Sequence, residues 1–302
     1  MNVSLVLFFP GLTPTRYDAI GDFVTTHRHA ERRFAEADEV LGYPLIEAYK
    51  NASIYDWEVY QSGYMALTLA LADWAEEHYG ERPELCGGQS YGAVMAAVRA
   101  GALSYADALR LMARSVQVEQ DYFSSQREPI GCHFFYKLSY DTVQKLIEEF
   151  RAQGLWMELS VAFDTSVHAV SAHQDTLTRF EQRVREEGGM PFYTVDRAEH
   201  CSALARLRDR LADEVYGTVT WRDTTIPMIS DVDGRCLTSG EEIKQDLLDG
   251  WTTPVHWRTV MDGIGRAGGD RVWIPGPRNM FARISNRAYP TRVISPKTAL
   301  AA

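Results

Sequence analysis

Apolar residues dominate positions 3–9, and Pro10-Gly11 closes the run. A short apolar run that ends on turn residues predicts a buried strand. Positions 18–41 and 62–79 carry helical periodicity. In the second, Met65, Leu67, Leu69, Leu71 and Trp74 place apolar side chains all round, which predicts a helix buried on every side. A short strand at Leu85-Cys86-Gly87 leads into Gly88-Gln89-Ser90-Tyr91-Gly92, and helices follow at 93–100 and 105–122.

The rhythm then changes. A strand is predicted at 132–138 and a helix at 140–153, the latter from Val143, Leu146, Ile147 and Phe150 at helical spacing. Strands at 156–163 and 167–172 flank a turn at Asp164-Thr165-Ser166. A helix at 174–187 ends on Gly188-Gly189, and a strand at 191–195 follows. The order β-α-β-β-α-β is the ferredoxin-like pattern. It predicts a small subdomain at 129–196 inserted into a larger α/β-hydrolase-like subdomain made of 1–128 and 197–302. The larger part resumes with a helix at 202–215 and a strand at Pro227-Met228-Ile229 with a turn at Asp233-Gly234. A helix at 241–248 and a buried strand at 271–274 complete it.

Composition removes several classes. Of 302 residues, 45% are hydrophobic and 24% charged, which excludes a disordered chain. The formal charge of −10 opposes phosphate backbones, so no nucleic-acid partner is expected. Cys86, Cys132, Cys201 and Cys236 stand far apart without a C-x-x-C pair, which fits a reducing cytosol and argues against a zinc cluster. No run reaches the roughly 18 to 20 apolar residues of a membrane helix. The opening apolar run lacks a basic flank and reads as a strand rather than a signal peptide, so a cytoplasmic location is expected.

Gly88-Gln89-Ser90-Tyr91-Gly92 matches G-x-S-x-G, the nucleophile elbow. The glycines permit a sharp strand-to-helix turn that lifts the serine hydroxyl out. The Tyr91 N–H then faces an oxyanion site at a helix N-terminus. A serine nucleophile needs a base, and eight histidines are available. His27 and His29 sit in a charged helix and His78 ends another; His133, His168 and His173 fall in the insert. His200 lies at the junction back into the large part, but periodicity alone does not choose it over His256.

The chain resembles the malonyl-CoA:acyl-carrier-protein transacylase family, which includes the acyltransferase domains of polyketide synthases. The resemblance rests on Phe9-Pro10-Gly11, Gln61 before a buried helix, the Ser90 elbow, the insert, His200-Cys201, Pro254-Val255-His256-Trp257 and Gly276-Pro277. It implies a Ser90–His200 dyad with ping-pong chemistry and a backbone carbonyl near Gly250 that orients the histidine. It further implies oxyanion donors at the N–H groups of Leu12 and Tyr91, and Gln61 as a substrate contact. The acyl group would travel on phosphopantetheine supplied by an acyl carrier protein or coenzyme A. No bound cofactor or metal is expected.

The chain also departs from the family. Aligning Ala108-Leu109-Arg110-Leu111 places Ser115 where malonyl enzymes carry an arginine for the substrate carboxylate. Arg114 is one residue away, about 100° round a helix. Glu199 precedes the histidine, and Asp164 replaces a family asparagine. Both charges would repel malonate, unless they are solvated groups paired with Arg197 or water. A pocket without its anion clamp suits a neutral or amine-bearing acyl group. The resemblance is then to the discrete aminoacyl and dipeptidyl transferases of macrolactam antibiotic pathways. The alternatives are a hydrolase that clears stalled carrier proteins, or an ordinary malonyl transferase that uses Arg114.

From Arg258 onward eight basic residues face only Asp262 and Asp270. Carrier proteins are generally acidic, so Arg278, Arg283 and Arg287 are candidates for docking one, against the alternative of a solvated face.

Overall fold

Leu5 to Phe9 are fully buried, and the strand they form lies inside a six-stranded sheet. The computed structural model describes residues 4–163, 167–277 and 285–302. In chain order its strands are β1 (Ser4–Phe9), β2 (Leu85–Gly88), β3 (Ile130–Tyr136), β4 (Met157–Ala162), β5 (Val167–His173), β6 (Met190–Val195), β7 (Met228–Ile229), β8 (Cys236–Leu237), β9 (Val255–His256), β10 (Gly269–Pro275) and β11 (Thr291–Ile294). The helices are α1 (Gly21–Thr26), α2 (Arg28–Leu41), α3 (Leu45–Asn51), α4 (Trp57–Tyr79), α5 (Tyr91–Ala100), α6 (Tyr105–Ser124), α7 (Tyr140–Ala152), α8 (Gln174–Glu186), α9 (Ala205–Glu214), α10 (Gly240–Asp249) and α11 (Trp257–Arg266), before a closing helix at Pro296–Leu300.

The larger sheet runs β11-β10-β1-β2-β7-β8, parallel except for β8. Parallel strands need both faces covered. Helix α4 meets that need: its residues from Tyr60 to Ala72 are buried without interruption. The smaller sheet runs β6-β3-β5-β4-β9. Its first four strands are antiparallel neighbours with α7 and α8 between them in sequence, the ferredoxin-like order. Val143, Leu146, Ile147 and Phe150 of α7 are buried in this part's own core.

The elements α3, β8, α11 and β11 are not read from the periodicity, and three further features differ from it. The helix expected at 18–41 is broken at His27, whose backbone is extended and whose Nδ1 accepts from the His29 N–H to cap α2. The helix expected from 62 begins at Trp57, because its first turn mixes polar and apolar residues and hides the period. β9 belongs to neither expected strand set: it joins the small sheet from the large part of the chain, parallel to β4.

Candidate active site

The C-terminal ends of β1, β2 and β7 open onto one crevice, where parallel α/β sheets bind their ligands. After β2 the chain turns sharply into α5. Ser90 holds φ 53° and ψ −122°, a conformation side chains rarely adopt. The turn needs both glycines. A Cβ on Gly88 would stand 2.1 Å from the Gly92 carbonyl oxygen, and one on Gly92 2.2 Å from that of Phe9. Neighbouring bonds pin the elbow: the Gln89 N–H donates to Phe9 at 3.0 Å, and the Tyr91 hydroxyl to the Gln61 carbonyl at 2.6 Å.

His200 also holds a left-handed backbone, at φ 50°. The Cys201 N–H donates to the Trp251 carbonyl at 3.2 Å. Ser171 Oγ accepts from the Glu199 N–H at 3.1 Å and donates to its carbonyl at 3.2 Å. So held, the ring reaches two partners. Its Nδ1 lies 2.7 Å from the Gly250 carbonyl and its Nε2 2.9 Å from Ser90 Oγ. A carbonyl only accepts, so Nδ1 carries the proton and Nε2 is left to accept from the serine. Gly250 caps the C-terminus of α10, where the helix dipole favours a developing imidazolium. Burial lowers the His200 pKa, opposed by Glu199 and the Gly250 bond and assisted by Arg197. The ring is therefore neutral at pH 7 and able to take a proton. His256 sits on β9 with its ring 6.3 Å from that of Tyr140 and lines neither cavity at Ser90.

Tyr91 opens α5, so its N–H is one of the helix's free first-turn donors. Leu12 lies in the loop after β1. That loop is tied to α4 by the Tyr64 hydroxyl to Gly11 at 3.0 Å and the Tyr60 hydroxyl to Thr13 at 2.9 Å.

Two chambers meet at the dyad, and Gln61, Ser90, Tyr91, Arg197, Glu199 and His200 line both. An aromatic chamber of about 880 Å³, counted to its open mouth, is walled by Leu12, Trp57, Phe134, Tyr136, Phe192 and Tyr193. An acidic chamber of about 700 Å³ adds Val94, Met112, Glu119, Tyr216, Asp231, Leu247 and Trp251. Arg197 stands between them. It pairs with Glu119, lies 3.7 Å from Glu199 and stacks 3.6 Å above the Trp57 ring. Burial holds Glu119 above the usual carboxylate range against the pull of Arg197. Burial and Asp246 push Asp231 up to about 7.

The expected substrate contacts divide. Gln61 and Glu199 line both chambers. Ser115 does not: it is buried in α6, outside both linings, with an Oγ that has no hydrogen-bond partner. It shares a stripe with Met112 and Glu119, but its side chain is too short to reach where theirs do. Arg114 is exposed and acts on Glu214 of α9, so the reading that placed a carboxylate clamp there is corrected by helix phase. Asp164, Arg278 and Arg283 lie outside the described residues; Arg287 is exposed.

Glu119, Arg197 and Asp231 were not singled out as site residues by sequence. Glu119 did leave a signal, being a charge on the buried stripe of α6. Asp231 left a weaker one, following a strand end.

Residues 135–195 match the family described as the VinK acyltransferase small domain. The malonyl CoA-acyl carrier protein transacylase of Escherichia coli O157:H7 is 25% identical over 295 residues, 95% of this chain and 93% of its own. A malonyl-transacylase solved in complex with a type II PKS acyl-carrier protein superposes with a TM-score of 0.86 at 20% identity, covering 99% of this chain and 98% of its own. An acyl carrier protein S-malonyltransferase from Vibrio cholerae superposes at 0.84 with 21% identity, covering 99% of both.

Proposed function

We propose that this chain, which is similar along nearly its whole length to malonyl-CoA:acyl-carrier-protein transacylases, is a member of that family that transfers an acyl group other than malonyl through an ester on Ser90. In this reading it is an acyltransferase whose partner is an acyl carrier protein, as the names of its relatives suggest. In this reading His200 Nε2 takes the Ser90 proton as Oγ attacks a thioester carbonyl. The oxyanion faces the N–H groups of Tyr91 and Leu12. His200 returns the proton to the departing thiolate, leaving the acyl-enzyme. An incoming phosphopantetheine thiol gives its proton to His200 and takes the acyl group off.

The observation that carries the substrate reading is the state of Arg197. Among the described residues lining either chamber it is the only Arg or Lys, and two carboxylates and an indole face already engage it. A malonate carboxylate would have to displace Glu119 from a buried ion pair, and breaking such a pair is costly. An aminoacyl or short peptidyl group has no such competitor, and the discrete carrier-protein transferases of macrolactam antibiotic pathways move groups of this kind. A second reading, malonyl transfer, is favoured by the names of the relatives and by the presence of Arg197 in the chambers that Ser90 lines.

Intact-protein mass spectrometry after brief incubation with malonyl, acetyl, aminoacyl and dipeptidyl thioesters decides between them. Adducts on Ser90 from the neutral or amine-bearing donors, and none from malonyl, are expected. A stable malonyl adduct overturns the reading. Adding an empty carrier protein then separates transfer to a thiol from loss to water.

A further inference from the structure

The Glu119 side chain is 4% exposed and lines the acidic chamber. Its two oxygens differ. Oε2 accepts from the Arg197 guanidinium; Oε1 is buried and has no hydrogen-bond partner. A buried carboxylate oxygen without a donor is unfavourable, and the arrival of one relieves it. The charge around it is also unbalanced. Glu119 and Glu199 oppose a single guanidinium, and Asp231 adds a third carboxyl to the same wall. The rest of that wall is largely apolar, with Val94, Met112 and Trp251. A ligand that satisfies such a chamber has an apolar stem and one cationic N–H donor.

We propose that Glu119 Oε1 receives the ammonium of the acyl chain carried on Ser90, which makes the acidic chamber an ammonium subsite. This rests on the reading that the acyl group is not malonyl, and goes further by requiring a free amine. Arg197 opposes an ammonium, but its charge is outweighed by the two carboxylates that hold it. The guanidinium also occupies Glu119 Oε2, which leaves Oε1 as the oxygen still without a donor. An amine masked by acylation loses the charge and the interaction together.

The test is the rate of Ser90 acylation from matched thioesters of N-acetylcysteamine: β-alanyl against butyryl, and 4-aminobutyryl against pentanoyl. Each pair has one length and differs by an ammonium in place of a methyl. A charge-assisted bond of ordinary strength predicts that the wild type favours the better-fitting amine by about thirtyfold. In Glu119→Gln that ratio falls towards one, and in Glu119→Asp and the exposed control Arg114→Ala it persists. Equal rates for both members of each pair in the wild type, or an undiminished ratio in Glu119→Gln, overturn the subsite while leaving the non-malonyl reading intact. The wild-type comparison decides even where a variant does not fold. Acylation by malonyl and by none of these four overturns both.

Discussion

The Ser90 backbone N–H donates to Asp231 Oδ2 at 2.6 Å, across 141 residues of chain. The bond holds the left-handed nucleophile against a buried carboxyl that has no cation beside it among the described residues. Behind it lies a second buried carboxyl, Asp246, which accepts from Ser230 Oγ at 2.6 Å and is itself pushed up to about 6. The elbow is therefore held by a group whose ionisation falls in the neutral range.

That arrangement sets a pH dependence of stability. The Asp231 pKa is raised from 3.8 to about 7, so the folded state binds this proton more tightly than the unfolded state. Its contribution is fully present below pH 3.8 and is lost as pH rises through 7. Asp231→Asn keeps an acceptor for the Ser90 N–H and removes the ionisation. The variant is expected to gain on the wild type as pH rises, by on the order of a few kcal/mol above neutrality. Thermal melts of both proteins from pH 5 to 8 check this; parallel curves would remove Asp231 from the account.

Acylation kinetics should report His200. Burial holds its pKa below 6.5, so the acylation rate is expected to stay flat through neutrality and fall only on the acid side. Glu199 raises that pKa, and its removal lowers it. Glu199→Gln should move the acid limb to lower pH without flattening it, read from pH–rate profiles of Ser90 acylation. A limb that moves to higher pH contradicts the coupling.

The dyad itself is tested by deletion. Ser90→Ala is expected to give no acyl adduct by intact mass. His200→Ala should slow acylation by about 100- to 10,000-fold, the usual worth of general acid–base assistance. An adduct on Ser90→Ala would place the nucleophile elsewhere.

Much of this site is legible in the amino-acid sequence. The elbow is local: an apolar strand end, two glycines whose Cβ atoms would meet backbone, and a helix start. The ferredoxin-like order was legible because α7 and α8 bury clean helical stripes between alternating strands. What periodicity did not reveal is held by long-range geometry. β9 has only two residues and gains its identity by pairing with β4 nearly a hundred positions earlier. Asp231 meets Ser90 only because β2 and β7 lie side by side. Choosing His200 over His256 took a family resemblance, since both histidines sit at the edge of an element and only the fold separates them. The arginine expected from the resemblance is missing at Ser115, while the charge that lines the chamber is one turn further on, at Glu119.

The same geometry says how the substrate preference would be changed. Arg197 is already at the junction of the chambers, with Trp57 stacked beneath it. It lacks only the freedom to bind a ligand's carboxylate, because Glu119 and Glu199 hold it. Neutralising both, in Glu119→Gln/Glu199→Gln, leaves a guanidinium whose planar fork suits a carboxylate. The double variant is expected to form a malonyl adduct on Ser90 that the wild type does not, by at least about tenfold in initial rate. Each single change should do less, because one carboxylate still holds the guanidinium. A double variant that folds, is acylated by a neutral donor and still refuses malonyl would show that something other than the occupied arginine excludes the anion. Masking Arg197 by Arg197→Met in the double variant should abolish the gained malonyl adduct, which ties the effect to that one cation.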